Sequence, residues 1–378
     1  MIYESLGLRP VINADARLTR LGGSLMPEPV LAAMREAAGS YVDMFELQQR
    51  VGRRLADLTR NEAAYVATGA SAGLFLATLA CMMGSDLKQL ARWATVRPPR
   101  HEVIIHRAHR IPYDPAVELA GATLVEVGNV LQTFPWEVEA VISERTAAIL
   151  YVAGEHLSRG ALSLEETIRL AHRYQVPVIV DAAAQLPPPE NLWRFTRELG
   201  ADLAVFSGGK DLRGPQASGL IVGRADLIAA CAEHGAPNQR LGRPMKVGKE
   251  EMVGLLAAVE FYLAQDHAAR MAHFEAVVRD WVAAFNACPG VRAERVFPNE
   301  AGQPVPRVRV EFDPAATSLT GAEVRRRLWE GNPAIAVAPA GPRGISLTPD
   351  TLDAPGHAEI VAARLLDVIR AAQTALAR

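Results

Sequence analysis

Near the middle of the chain, Ala204-Val205-Phe206-Ser207-Gly208-Gly209-Lys210 reads as an apolar strand that runs into a small-residue turn and ends on a lysine. Packed at a strand end, short of bulk water, an amine has its pKa lowered by desolvation. It then becomes a nucleophile for a carbonyl, the usual route to a Schiff base. Two other stretches carry chemistry that matches. Val178-Ile179-Val180-Asp181-Ala182-Ala183-Ala184-Gln185 leads buried β-branched residues into a carboxylate, which is costly to desolvate unless it meets a cation. Thr68-Gly69-Ala70-Ser71-Ala72-Gly73 opens a helix with small residues, whose free N–H groups and dipole suit a phosphate, with the Ser71 hydroxyl in addition. Taken singly, each has a plainer alternative: a surface turn for the lysine, a helix cap for the aspartate, close helix–strand packing for the glycines. The G-x-G-x-x-G nucleotide fingerprint is absent.

The elements that position these residues follow from the apolar rhythm that starts at Ala63. Short strands at 63–67, 102–106, 123–127, 147–152, 177–181, 202–206 and 219–222 alternate with helical segments. Seven such strands predict an α/β fold with a mostly parallel, doubly wound sheet covered on both faces. The last two are joined by too few residues for a helical crossover, so that pair is expected to be antiparallel. Ligands collect at the carboxyl ends of such strands, and that edge is where Ser71, Asp181, Ser207 and Lys210 all fall. A phosphate cradle, an anion for a ring nitrogen and an amine for an aldehyde are together what pyridoxal phosphate requires. His109 and Tyr113, after the second strand, offer flat side chains for one face of the ring, and Ala183 a small contact for the other. His106 and His109 stand three apart without a further ligand set, so no metal is expected.

Outside this core the pattern changes. Residues 1–25 read as an extended N-terminal arm, 26–248 as the large cofactor-binding α/β domain, and 249–378 as a bridging helix and a small α+β domain. The long helix is expected over 249–285, and the small domain's antiparallel strands at 307–312, 334–338 and 344–347. With 49% hydrophobic and 22% charged residues, a mean hydropathy of +0.07 and a formal charge of -2, the 378-residue chain has the composition of a soluble protein. It offers no global attraction to nucleic acid or anionic membrane. Cys81, Cys231 and Cys288 are widely spaced and read as reduced thiols of a cytoplasmic protein. Neither a signal peptide nor a membrane span is apparent.

The segments VINADARLTRLGGS, ELQQRVGRRLADLT, YVATGASAGL, HRAHRIPYD, VIVDAAAQLPP, DLAVFSGGKDLRGPQASGL and GRPMKVGKEEMVGLLAA resemble fold-type I pyridoxal-phosphate enzymes. Within them the likeness is to the branch of bacterial selenocysteine synthase and D-glucosaminate-6-phosphate ammonia-lyase-like proteins. The resemblance implies that Lys210 is the Schiff-base lysine, Asp181 the partner of the pyridinium, Gly69, Ala70, Ser71 and Ser207 the phosphate site with Thr68 beside it, and His109 the stacking residue. Gln185 joins the cofactor set. The tRNA-modifying members carry an additional N-terminal domain, whereas here the VINA segment begins by residue 11, which favours a small-molecule lyase. The reaction implied is Cα deprotonation and β-elimination on a small 2-amino-3-hydroxy acid, a sugar amino acid included. Aldol cleavage, racemisation and tRNA-dependent selenium transfer are the alternatives. For the substrate, Arg17 and Arg20 on the arm, Glu155 and His156 after the fourth strand, and Arg243 and Lys246 in GRPMK are the candidates, since a guanidinium forks onto a carboxylate. A homo-oligomer, dimer or higher, with no nucleic-acid or membrane partner, is also implied.

Overall fold

The structure, a computed structural model, describes residues 2–93 and 95–376. Its strands are β1 Val11–Ala14, β2 Ala63–Ala67, β3 Glu102–His106, β4 Thr123–Val127, β5 Thr146–Val152, β6 Val178–Asp181, β7 Leu203–Ser207, β8 Gly219–Gly223, β9 Val291–Val296, β10 Arg307–Phe312, β11 Ala334–Pro339 and β12 Gly344–Leu347. The chain divides into two units. One holds residues 26–265 together with Glu300–Gly302, the other the first 25 residues with 266–299 and 303 onward.

The larger unit is built on a seven-stranded sheet of order β2-β8-β7-β6-β5-β3-β4. β8 runs antiparallel to both its neighbours and every other pair is parallel. The strands are apolar on both sides, as a sheet covered on both faces demands. Val66, Ile104, Ile149, Val180, Phe206 and Val222 pack into one face's core, while Tyr65, Val103, Leu150, Ile179, Val205 and Ile221 pack into the other. The helix Ala70–Met83, apolar around nearly its whole circumference, lies buried in the second of these layers. Two helices of the opposite layer, Met44–Leu58 and Leu164–Arg173, are amphipathic and side-chain capped. Asp43 accepts the Glu46 N–H at 2.9 Å ahead of Met44–Leu58, and Ser163 accepts the Glu166 N–H at 3.1 Å ahead of Leu164–Arg173.

The smaller unit is a five-stranded sheet of order β1-β11-β12-β10-β9, with the helices His267–Asn286, Gly321–Glu330 and His357–Leu376. Its core gathers Ile12, Trp281, Phe285, Val308, Val310, Leu328, Ile335 and Leu365. Three expectations are corrected here. The stretch read as an arm contributes β1, which pairs in parallel with β11, so the small sheet is mixed and residues 2–25 belong to this unit. β9 was not foreseen because its sequence, VRAERV, is half charged and breaks the apolar–polar alternation at Glu294-Arg295. The expected single helix breaks at Gln265 and Asp266, where the Asp266 carboxylate caps a new start by accepting the Ala269 N–H at 2.9 Å. Helix Lys249–Ala264 accordingly stays with the larger unit.

Candidate active site

Lys210 follows β7 in a turn made tight by the chain's immediate return to β8. Gly208 donates its N–H to the Ser218 carbonyl at 2.9 Å and accepts from the Gly214 N–H at 2.8 Å. A Cβ on Gly208 would stand 2.1 Å from the Ser218 Oγ, so the returning segment leaves room only for glycine. The lysine itself is half-buried, and burial pushes its ammonium below the ordinary lysine pKa, with the Asp181 carboxylate opposing the shift. Asp181 shows the converse. Burial raises its carboxyl pKa, while the Ala183 N–H, donated to Oδ1 at 3.0 Å, and Lys210 both lower it. These two groups are thus held desolvated and within each other's field, the arrangement expected of an amine nucleophile beside an anion awaiting a cation.

Register carries the third group to the same edge. Gly219 pairs with both Ser207 and Ala67, so β7, β2 and the start of the Ala70–Met83 helix meet around it. Gly69 precedes that helix with φ +107°, a conformation other residues rarely adopt. A Cβ on Gly219 would stand 2.4 Å from the Gly69 carbonyl carbon. Thr68 donates its hydroxyl to the Ala217 carbonyl at 3.4 Å, and Thr68, Gly69, Ala70 and Ser207 are half-buried while Ser71 is exposed. A cradle of backbone donors at a helix start, a buried carboxylate and a desolvated amine therefore fit a phosphate-bearing aromatic aldehyde.

Other expected site residues do not sit as anticipated. His109, assigned to stack on the ring, is wholly enclosed, as is His106. Its Nδ1 accepts the Val152 N–H at 3.3 Å, and its ring stands nearly perpendicular to Tyr151 with centroids 4.5 Å apart. A ring with no accessible face has none to offer a cofactor in this conformation; burial also pushes its pKa down to about 3, keeping it neutral. Tyr113 is 60% exposed. Gln185 acts as a tie, its amide donating to the carbonyls of Ala153 at 3.0 Å and Ala301 at 3.3 Å. In the smaller unit, Arg17 is committed to structure: its side chain is 6% exposed, donates to Ser24 Oγ at 2.7 Å and to the Asp350 carbonyl, and has its Nε 3.6 Å from the Asp350 carboxylate. Arg20 pairs with the buried Asp15 at 2.5 Å. Arg17 is thus not the open guanidinium fork a substrate carboxylate needs, whereas the Arg20 side chain remains 52% exposed. Arg243 and Lys246 are exposed on the segment before helix Lys249–Ala264.

One part of the site had no signal in the sequence. Glu300–Gly302, between β9 and β10, belongs to the larger unit and lies beside the β5 end. Besides its bond to Gln185, the Ala301 carbonyl accepts the Glu155 N–H at 3.3 Å. Nothing in Glu-Ala-Gly distinguishes such a piece from an ordinary turn.

The sequence profile of the L-seryl-tRNA selenium transferase (SelA) family matches residues 11–280. The chain belongs to that family. It is 34% identical over 374 residues to D-glucosaminate-6-phosphate ammonia lyase of Salmonella typhimurium, covering 97% of each chain. A 5'-C-glycyluridine monooxygenase-decarboxylase from Streptomyces is 36% identical over 342 residues, 89% of this chain and 83% of the relative. L-seryl-tRNA(Sec) selenium transferase of Alkaliphilus metalliredigens is 30% identical over 287 residues, which is 70% of this chain and 58% of that one. Among solved structures, a D-glucosaminate-6-phosphate ammonia-lyase superposes with a TM-score of 0.85 at 33% identity, covering 98% of this chain and 99% of that one. A ureidoglycine-glyoxylate aminotransferase from Bacillus subtilis shares the fold with a TM-score of 0.62 at 18% identity, covering 97% of this chain and 94% of that one. This member of the selenium transferase family is a fold-type I, pyridoxal-phosphate-dependent enzyme of lyase type, as the seven-stranded sheet leads one to expect.

Proposed function

We propose that the enzyme acts on a small 2-amino-3-hydroxy acid, sugar amino acids included, and eliminates across Cα and Cβ to release ammonia and a 2-keto acid. The observation that carries this reading is the likeness to the ammonia lyase along 97% of both chains. The site geometry supports it. Bound pyridoxal phosphate supplies an aldehyde for the substrate amine and a ring that draws electrons from Cα. The Thr68–Ser71 turn and Ser207 hold its phosphate, and Asp181 keeps its ring nitrogen protonated. Lys210 Nζ, poised by burial toward the neutral form, takes the Cα proton. The β-hydroxyl departs as water; hydrolysis of the resulting imine consumes one water and frees ammonia, so the net change is loss of ammonia.

The three cysteines carry no disulfide, which supports a reducing, cytoplasmic setting. No helix among the described residues is long and apolar enough to cross a membrane. A homo-oligomer acting on a small molecule completes the proposal.

The test is a panel of D- and L-2-amino-3-hydroxy acids, with D-glucosaminate 6-phosphate among them, scored for ammonia and keto acid. Absence of both products throughout the panel refutes the elimination. Borohydride trapping of the cofactor on the chain should vanish in Lys210→Ala; persistent trapping overturns the lysine assignment.

A further inference from the structure

Loss of a hydroxyl from Cβ needs a proton donor, because hydroxide is a poor leaving group. Of the ionisable side chains at the carboxyl edge of the large sheet, most are otherwise engaged. Lys210 is the base in the reaction proposed above, and Asp181 lies buried with its Oδ1 bonded to Ala183. His106 and His109 are enclosed. Glu155 is drawn against Glu300–Gly302: its N–H is donated to Ala301, and a Cβ on Gly302 would stand 2.8 Å from its own Cβ.

His156, exposed like Glu155, differs in the place of its ring, which makes no hydrogen bond among the described residues. The imidazole folds back over Gly154, the second residue beyond β5. A Cβ at 154 would stand 3.0 Å from its Cε1, 3.2 Å from its Nδ1 and 3.8 Å from the Gln185 amide nitrogen. That amide is fixed on the Ala153 carbonyl, and the Ala153 N–H is donated to the carbonyl of Asp181 at 2.9 Å. Strand register agrees, since Val152 is the partner of Asp181. The imidazole is therefore seated at the end of β5, beside the strand end that carries Asp181, with ring nitrogens open to a ligand.

We propose that His156 is the acid that protonates the departing β-hydroxyl, an inference that rests on the elimination proposed above. The Cα–H bond breaks and its proton passes to the Lys210 amine. The electron pair left at Cα forms the Cα–Cβ double bond as the Cβ–O bond breaks, and the oxygen leaves as water with the proton from His156. Solvent then returns a proton to the imidazole. No oxidant or reductant is needed. Gly154 has a part in this, because any side chain there displaces the ring.

The test compares two leaving groups on the holoenzyme: the best 2-amino-3-hydroxy acid from the panel, and 3-chloroalanine of the same configuration, whose chloride departs without a proton. His156→Asn should lower turnover of the hydroxy acid by about 100-fold or more, the usual scale of a general acid, while chloride elimination falls by less than about threefold. Exchange of the Cα proton in D2O, followed by NMR on recovered substrate, should persist. So should the Kd of the analogue lacking the 3-hydroxyl, measured by fluorescence titration. Gly154→Ala should reproduce the same leaving-group split. Equal losses on both substrates, loss of Cα exchange, or undiminished turnover of the hydroxy acid overturns the role of His156 and leaves the elimination standing. A wild-type enzyme that eliminates chloride but no hydroxyl, or neither, overturns the proposed function itself.

Discussion

Replacing Gly219 with alanine tests whether the turn at Gly69 and Ala70 holds the cofactor through its phosphate. The new Cβ would stand 2.4 Å from the Gly69 carbonyl carbon, 2.5 Å from its oxygen and 2.8 Å from the Ala70 nitrogen. All three are backbone atoms, so no side chain can swing aside. Carbon contacts become comfortable at about 3.5 Å, so the turn must retreat by about 1 Å. That displacement carries an N–H donor out of hydrogen-bonding range of a phosphate held from its other side. A hydrogen bond to a charged group contributes about 1.5–3 kcal/mol, and losing one weakens binding by about 10- to 150-fold. Overpacking costs a further ~1–3 kcal/mol of cofactor-free stability. The assay is a pair of titrations, with pyridoxal phosphate and with pyridoxal, alongside thermal melts. Affinity should fall for the phosphorylated ligand and hold for the other. Gly73→Ala is the control: its Cβ meets the Val205 Cγ1 at 2.7 Å and the Ile221 Cγ1 at 3.4 Å, side-chain atoms only, and should lower Tm without separating the two ligands. If folded Gly219→Ala binds pyridoxal phosphate within twofold of wild type, or loses both ligands alike, the cradle is misplaced.

Two further outcomes are expected. Burial holds His106 and His109 at pKa values of about 4 and about 3, well below their ordinary 6.5, with His106 adding to the shift of His109. Below pH 6.5 the unfolded chain takes up protons that these folded rings refuse, so their contribution is intact above that pH and is lost as pH falls toward 4. At pH 5 each costs about 2 kcal/mol, at 1.36 kcal/mol per unit. Urea unfolding at pH 7 and 5 should show the drop, and His106→Leu should shrink it; an equal drop in that variant counts against the assignment. Arg17→Ala removes one side of a mostly buried pair with Asp350 and should cost about 3 kcal/mol, read as a lower urea midpoint, with substrate KM unchanged. A rise in KM at unaltered stability would return Arg17 to the substrate.

The places of Lys210, Asp181 and the Thr68–Ser71 turn at strand ends were legible because each combines a local composition with a strand end, and local composition needs no partner. The seven strands were legible for the same reason, since apolar runs bounded by small residues mark a sheet covered on both faces. What misled was every role that depends on a distant partner. Arg17 looks like an open guanidinium until Asp350, more than three hundred residues away, is found against it. Val11–Ala14 looks like an arm until β11 pairs with it.

By itself, then, the sequence determined the α/β sheet, its carboxyl edge and the places of Lys210, Asp181 and the Thr68–Ser71 turn along it, because strand period and turn chemistry act over a few residues. Only the tertiary structure decided which side chains remain open there. It enclosed His109 against Tyr151, tied Gln185 to Ala153 and Ala301, brought Glu300–Gly302 beside β5 and left His156 over Gly154. Accessibility is set by whatever packs on top, and what packs on top comes from elsewhere in the chain.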